Sequence, residues 1–215
     1  MSIKVMIADD HKIVREGLRT MLEKVPDIKV VGEAVNGRMT ERLACELAPD
    51  VIIMDLSMPD LNGIEATRQI VAELPGVKII ALSVYDDRRF VLNMLKAGAV
   101  GYMIKDCAFK DLVKAIRVVM SHKTYLSIEV ADIVVKDFRA SSSTGESTAL
   151  QRLSPRECEV LQLVAEGKTT AKIAEILHVS VKTVESHRQK IMVKLHIKTI
   201  AELTKYAIRE GLTTA

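Results

Sequence analysis

The sequence predicts an α/β domain built on a doubly wound, five-stranded parallel sheet, followed by a small all-α domain with a helix-turn-helix. Three observations point there. Five short apolar runs in the first 120 residues alternate with five stretches of helical spacing. The central runs, VIIM and VKIIAL, lack polar alternation, as strands buried on both faces do. A Ser-, Thr-, Gly- and Ala-rich segment, FRASSSTGESTALQ, then separates this pattern from a final stretch that reads as helix throughout.

The elements follow in order. Strands are expected at Ile3–Ala8, Ile28–Val31, Val51–Met54, Val77–Leu82 and Gly101–Ile104. Helices fill roughly 12–24, 37–48, 63–73, 87–97 and 109–120, with apolar positions such as Ile13, Leu18, Met21 and Leu22 recurring at helical spacing. Five such units make a parallel sheet whose right-handed crossovers place helices on both faces. LSIEVADIVVKD, 126–137, adds a short helix, and the linker occupies about 138–151. Ser154-Pro155-Arg156-Glu157 then forms a capping box with proline at the first helical position, and Gly167 ends that helix. Further helices are expected at about 170–177, from Val181 to about Leu195 behind a Ser180 cap, and at about 200–209. Two short helices joined by the tight turn at His178-Val179 make the helix-turn-helix. The domain limits are thus 1–120, a connecting segment 121–150, and 151–215.

Composition narrows the function. No apolar run approaches the roughly 20 residues of a membrane helix, and MSIKVMIADD is a strand running into acids rather than a signal peptide. A cytoplasmic protein without membrane contact is the simplest reading. Cys45, Cys107 and Cys158 are odd in number and lack C-x-x-C spacing, which argues against a disulfide framework or a zinc site. The net charge of +3 is unevenly spread: 151–215 holds 11 Lys/Arg against 7 Glu and no Asp, net +4, while 1–120 is balanced at 17 of each sign. A basic domain of this kind suits nucleic acid.

Chemistry-bearing residues sit where the strands should end: Asp9 and Asp10 after IKVMIA, Asp55 after VIIM, Ser83 after KIIAL, Lys105 after GYMI. In a doubly wound sheet the carboxyl ends of the strands converge on one crevice. Three carboxylates, a hydroxyl and an ammonium gathered there suit a divalent cation and a phosphoryl group.

Those residues, with D-x-x-M-P-x-x-x-G at Asp55, Met58, Pro59 and Gly63, resemble the receiver domain of bacterial response regulators, a flavodoxin-like fold, over residues 3–120. Residues 153–212 resemble the LuxR-type helix-turn-helix of the NarL/FixJ class. The signals are L-S-x-R-E at 153–157, I-A-x-x-L at 173–177, T-V-x-x-H at 183–187, K-L at 194–195 and Y-A-x-x-x-G-L at 206–212. The first resemblance implies Asp55 as phosphoacceptor from a sensor histidine kinase. It implies Mg²⁺ on Asp10, Asp55 and the Ser57 backbone carbonyl, with Asp9 acting mostly through water. It implies Lys105 and Ser83 as partners of the phosphoryl group, and Tyr102 as an aromatic that rotates inward when Ser83 moves. It implies no enzymatic activity beyond the domain's own phosphoryl uptake and dephosphorylation. Two positions depart from the pattern: Asp106 stands where many receivers have proline, and Val84 is larger than usual.

In the second domain Ile173, Ala174, Leu177, Val184, Ile191 and Leu195 should be core. Glu185, Ser186 and Gln189 are candidates for base edges. Lys182, Thr183, Arg188, Lys190 and Lys194 are candidates for phosphates. His187 is expected to pack or touch phosphate. Ile200, Leu203, Tyr206 and Ala207 present either a dimer surface or the closing side of the core. The partner implied is double-stranded DNA at near-palindromic sites, read by a homodimer.

The leading expectation is a transcriptional response regulator in which Mg²⁺-dependent phosphorylation of Asp55 promotes dimerisation and DNA binding. The runner-up is a regulator independent of phosphorylation, using its receiver only to dimerise. A Mg²⁺-dependent phosphohydrolase with Asp55 as nucleophile would need a substrate pocket, whereas the second domain reads as a DNA binder. A nucleotide binder is disfavoured because neither G-x-G-x-x-G nor G-x-x-x-x-G-K-[ST] follows the first strand.

Overall fold

The computed structural model describes residues 2–84, 86–141 and 153–213, and the chain divides into two units, Met1–Ser143 and Thr144–Ala215. The first alternates strand and helix. Its order is β1 (Ile3–Ala8), α1 (Lys12–Leu22), β2 (Ile28–Ala34), α2 (Gly37–Leu47), β3 (Val51–Met54), α3 (Gly63–Glu73), β4 (Lys78–Ser83), α4 (Arg88–Lys96), β5 (Gly101–Ile104), α5 (Phe109–Met120), β6 (Tyr125–Leu126) and α6 (Ile128–Ser141).

The strands form one parallel sheet in the order β2-β1-β3-β4-β5-β6. The sheet therefore has six strands, not five. The sixth is only Tyr125–Leu126, paired with Gly101 and Tyr102, and two residues are too few to carry a periodic signal. Its presence moves the start of the following helix from 126 to Ile128, and that helix runs on into the expected linker as far as Ser141. The rest of the expected linker, 142–151, lies outside the described residues. β2 also runs three residues further than expected, to Ala34, past an irregularity where Val5 pairs with Val30 but Met6 with Gly32.

Strand alternation builds two cores. Met6, Ala8, Ile52, Met54, Ile79, Ala81 and Tyr102 face α2, α3, α4 and α6. Val5, Ile7, Val51, Ile53, Ile80, Leu82 and Met103 face α1 and α5. Because β1 connects to β2 on one side and pairs with β3 on the other, the chain reverses direction across the sheet there. The crevice at the carboxyl ends of β1 and β3 is the ligand position of such folds. Caps set where the helices on its rim begin: Asn36 and Asn62 accept from the Met39 and Glu65 N–H groups at the starts of α2 and α3. Gly63 opens α3 so close to the end of β3 that a Cβ there would lie 2.0 Å from the Asp55 carbonyl oxygen.

The second unit is α7 (Pro155–Ala165), α8 (Thr170–Ile176), α9 (Val181–Leu195) and α10 (Ile200–Arg209). Ser154 and Glu157 form the expected capping box, and Ser180 caps α9 through the Thr183 N–H. Gly167 adopts φ +75°, the left-handed conformation that favours glycine. Ile173, Ala174, Leu177, Val184 and Ile191 are buried in one core, with Leu195 packed at its edge. Leu203, Tyr206 and Ala207 also belong to that core, while Ile200 is half exposed. The core reading of α10 therefore holds for three of its four apolar positions. Among the described residues, no helix is long and apolar enough to cross a membrane.

Candidate functional site

The ends of β1, β3, β4 and β5 bring the five expected residues to one place. Asp9 follows β1 and Asp55 follows β3, their main chains joined through the Asp55 N–H donating to the Ala8 carbonyl at 2.8 Å. Ser83 is the last residue of β4 and pairs with Ile104, the last of β5, while Lys105 follows at once. The Lys105 N–H donates to the Ser83 carbonyl at 2.7 Å. Its Nζ lies 2.7 Å from Asp9 Oδ2 and 2.9 Å from Asp55 Oδ1. Asp9, Asp55 and Ser83 are buried, whereas Asp10 stands at the mouth.

The electrostatics are those of an overfull acid site. Burial, with Asp9 and Asp10 adding to it, pushes the Asp55 carboxyl above the ordinary aspartate range despite the opposing Lys105 ammonium. For Lys105 burial works the other way, yet its bonds to Asp9 and Asp55 outweigh it and raise its pKa. One ammonium thus serves two buried carboxylates with a third beside them. That imbalance favours a further cation.

Oxygen donors dominate the site, as a hard divalent cation requires. Asp9, Asp10, His11 and Asp55 each offer a ligand atom, all within 4.8 Å of one another; among the described residues no other such His, Cys, Asp and Glu group is found. Ser57, on the loop after β3, is partly buried. His11 was not singled out from sequence. Its Nδ1 lies 2.8 Å from Asp10 Oδ1 and 3.2 Å from Asp9 Oδ1, and its main-chain N–H donates to Asp9 Oδ1 at 2.8 Å. The only available signal was its adjacency to the acids.

Tyr102 lies fully inside, on the α4 side of the sheet, and its phenol shares a hydrogen bond with the Ser83 hydroxyl. Burial raises the phenol pKa well above that of free tyrosine, with the Ser83 bond opposing. The ring is already in the inward position that the sequence reading associated with a moved Ser83. At the two departures, Val84 is 64% exposed at the rim and Asp106 sits in a turn just after Lys105.

The second candidate surface is α9. Val184 and Ile191 point into the core, so the other side of the helix faces solvent. Lys182, Glu185, Ser186, Gln189 and Lys190 are exposed there, and Arg188 is half-buried. Val193, missed from sequence, is 72% exposed and shares a shallow concavity with Ser186, Gln189 and Lys190. Two of the expected phosphate contacts have internal partners in the protein without DNA. The Thr183 hydroxyl is 2.8 Å from Ser180 Oγ, and Lys194 Nζ donates to the buried Glu157 at 2.6 Å. Lys194 comes from the far end of α9, where its stem turns back toward α7. His187 is half-buried, in keeping with packing.

Known proteins share both halves. Residues 5–117 match the response regulator receiver domain, and 151–207 match the bacterial regulatory proteins of the luxR family. The oxygen regulatory protein NreC of Staphylococcus epidermidis is 40% identical over 98% of this chain and 99% of its own length. The transcriptional regulatory protein DegU of Brevibacillus brevis is 34% identical over 97% of this chain and 94% of its own. Among solved structures, RcsB of Salmonella enterica serovar Typhimurium, bound to the promoter rprA in the presence of a phosphomimetic, is 31% identical. It covers 96% of this chain and 98% of its own, with a TM-score of 0.62.

Proposed function

The chain belongs to the response regulators that join a receiver domain to a DNA-binding domain of the LuxR family, and we propose that Asp55 is the phosphoacceptor whose modification drives its binding to DNA. The observation that carries this is the pair of short bonds from Lys105 to Asp9 and Asp55, inside a site with more acid than cation.

The Asp55 carboxylate attacks the phosphorus of a phosphohistidine on a sensor kinase; the P–N bond breaks and an acyl phosphate forms. Asp9, Asp10, Asp55 and the Ser57 carbonyl are the ligands we assign to Mg²⁺, which would offset the charge that accumulates on the transferring group. Lys105 stays within reach of Asp55 and takes one of the new oxygens. Ser83, on the next strand end, donates its hydroxyl to another. Since that hydroxyl also holds Tyr102, a change at Asp55 reaches the α4 side of the sheet through one hydrogen bond. The response is an equilibrium between two states, and moving it from 1:99 to 99:1 takes about 5.5 kcal/mol of differential stabilisation.

The domain limits we assign are 1–120 for the receiver, 121–150 for the connecting segment and 151–215 for the DNA-binding part. In the latter, the solvent side of α9 enters the major groove of double-stranded DNA. Glu185, Ser186 and Gln189 face base edges, and Lys182, Arg188 and Lys190 face phosphates. A homodimer reads a near-palindromic site.

Intact mass after incubation with acetyl phosphate and Mg²⁺ tests the switch site. The parent should gain one phosphoryl group and Asp55→Ala none, and DNA affinity should rise only in the parent. A parent that gains nothing yet binds DNA would overturn the reading in favour of a phosphorylation-independent regulator.

A further inference from the structure

Arg15 reaches the acid pocket from behind. It lies on α1, six residues after Asp9, and its guanidinium Nη1 donates to the Asp9 main-chain carbonyl at 2.7 Å. The side chain is only 12% exposed, and its Nε lies 3.6 Å from Glu33 on β2. The other oxygen of Glu33 accepts from Arg19 Nη1 at 2.6 Å. Burying a guanidinium is costly unless its bonds are specific, and the bond to Asp9 is specific in its timing along the chain. The strand ladder has ended at Ala8, so the Asp9 carbonyl is the first without a strand partner. Its N–H is still tied to the Ala34 carbonyl of β2 at 3.1 Å. The Asp9 N–H is therefore anchored to β2 directly, while its carbonyl is held by Arg15, which meets Glu33 of β2 as an ion pair at 3.6 Å without a hydrogen bond from Nε. That double anchor fixes the direction in which the main chain presents the Asp9 and Asp10 carboxylates to Asp55.

We propose that Arg15 is a positioning residue for the phosphoacceptor pocket, setting its affinity for a divalent cation by holding the Asp9 carbonyl. The proposal rests on the reading of the pocket given above. Arg15 touches neither the cation nor the transferred group. Groups that orient ligands from outside the coordination shell act on affinity, and their loss typically costs ten- to a hundredfold.

The test uses the full chain. Mg²⁺ affinity is measured by calorimetry without any phosphoryl donor. The Mg²⁺ concentration that half-saturates uptake from acetyl phosphate is measured alongside, with thermal melting as the check on folding. Arg15→Met should weaken Mg²⁺ binding about tenfold while uptake at saturating Mg²⁺ stays within about twofold of the parent. Arg15→Lys, which keeps one donor and the charge, should bring affinity back to within about threefold. Glu33→Gln loosens the outer anchor alone and should weaken binding about threefold. A folded Arg15→Met with parental Mg²⁺ affinity overturns the proposal, as does loss of maximal uptake with affinity unchanged. Should Arg15→Met fail to fold, Glu33→Gln decides, and parental affinity there overturns it as well. A parent that binds no Mg²⁺ and takes up no phosphoryl group would defeat the function reading itself. Equal binding by a competent parent and its variants would defeat only the role of Arg15.

Discussion

Two buried carboxylates, one in each unit, each lie against a lysine, and their pKa values move in opposite directions. Asp55 is 5% exposed with Lys105 at 2.9 Å; Glu157 is 4% exposed with Lys194 at 2.6 Å. Burial works against the charge of both. At Glu157 the bonds from Lys194 and Ser154 outweigh it and pull the pKa below the glutamate range. At Asp55 they do not, because its lysine also serves Asp9, and Asp9 and Asp10 add repulsion. Glu157 is a finished ion pair that fastens α9 to the start of α7. Asp55 is an unfinished one, and its deficit is what a cation and a phosphoryl group can use. Distance to a lysine alone does not tell these two acids apart; the count of charges sharing that lysine does.

The largest effect should come from removing the finished pair. Glu157→Ala should cost about 2 kcal/mol of folding stability at neutral pH, from a lost cap and lost charge-assisted bonds. Because the folded pKa is lowered, that contribution is present above the usual glutamate range and disappears as pH falls through the folded value. Calorimetric melting followed downward from about pH 7 should therefore show a gap between parent and variant that narrows in acid; a gap that stays constant would mean the pair carries no stabilising charge.

Asp55→Asn should do the opposite, and by less. A raised folded pKa means the parent is favoured below the usual aspartate range and loses that advantage as pH rises through the folded value. In metal-free buffer the variant should thus melt higher than the parent near neutral pH, with the gain fading toward acid. Mg²⁺ should then raise the melting temperature of the parent alone. A variant that melts lower at neutral pH would show that Asp55 is as well satisfied as Glu157.

The smallest effects distinguish two lysines of α9. Lys182→Met should leave melting unchanged but reduce the slope of log affinity for DNA against log salt by about 1. Lys194→Met should lower stability by about 1 kcal/mol and leave the slope where it was. Equal salt slopes in both variants would mean that Lys194 leaves Glu157 when DNA arrives.

Much of this was legible beforehand. The β–α alternation, the strand-end acids and the capping box at Ser154–Glu157 are local patterns, and local patterns survive in one dimension. What escaped depends on contacts between segments distant in sequence. Lys194 reads as one more basic residue of a solvent-facing stripe until folding brings it to Glu157, 37 positions earlier. Arg15 looks like an ordinary polar position of an amphipathic helix, because nothing in its neighbours marks a carbonyl left over at the end of β1. The sixth strand is two residues long and exists only because β5 offers an edge.

The parallel order of the sheet also sets a schedule. All three aspartates precede position 56, while Lys105 follows β5, whose partner β4 must already be in place. A chain made from its N-terminus at about 5–20 residues per second has its acids for several seconds before their ammonium leaves the ribosome. Nascent chains ending before β5 hold the three carboxylates without the lysine that bridges two of them. The acid pocket is therefore completed only when the last of the long strands has been made, since its lysine follows β5.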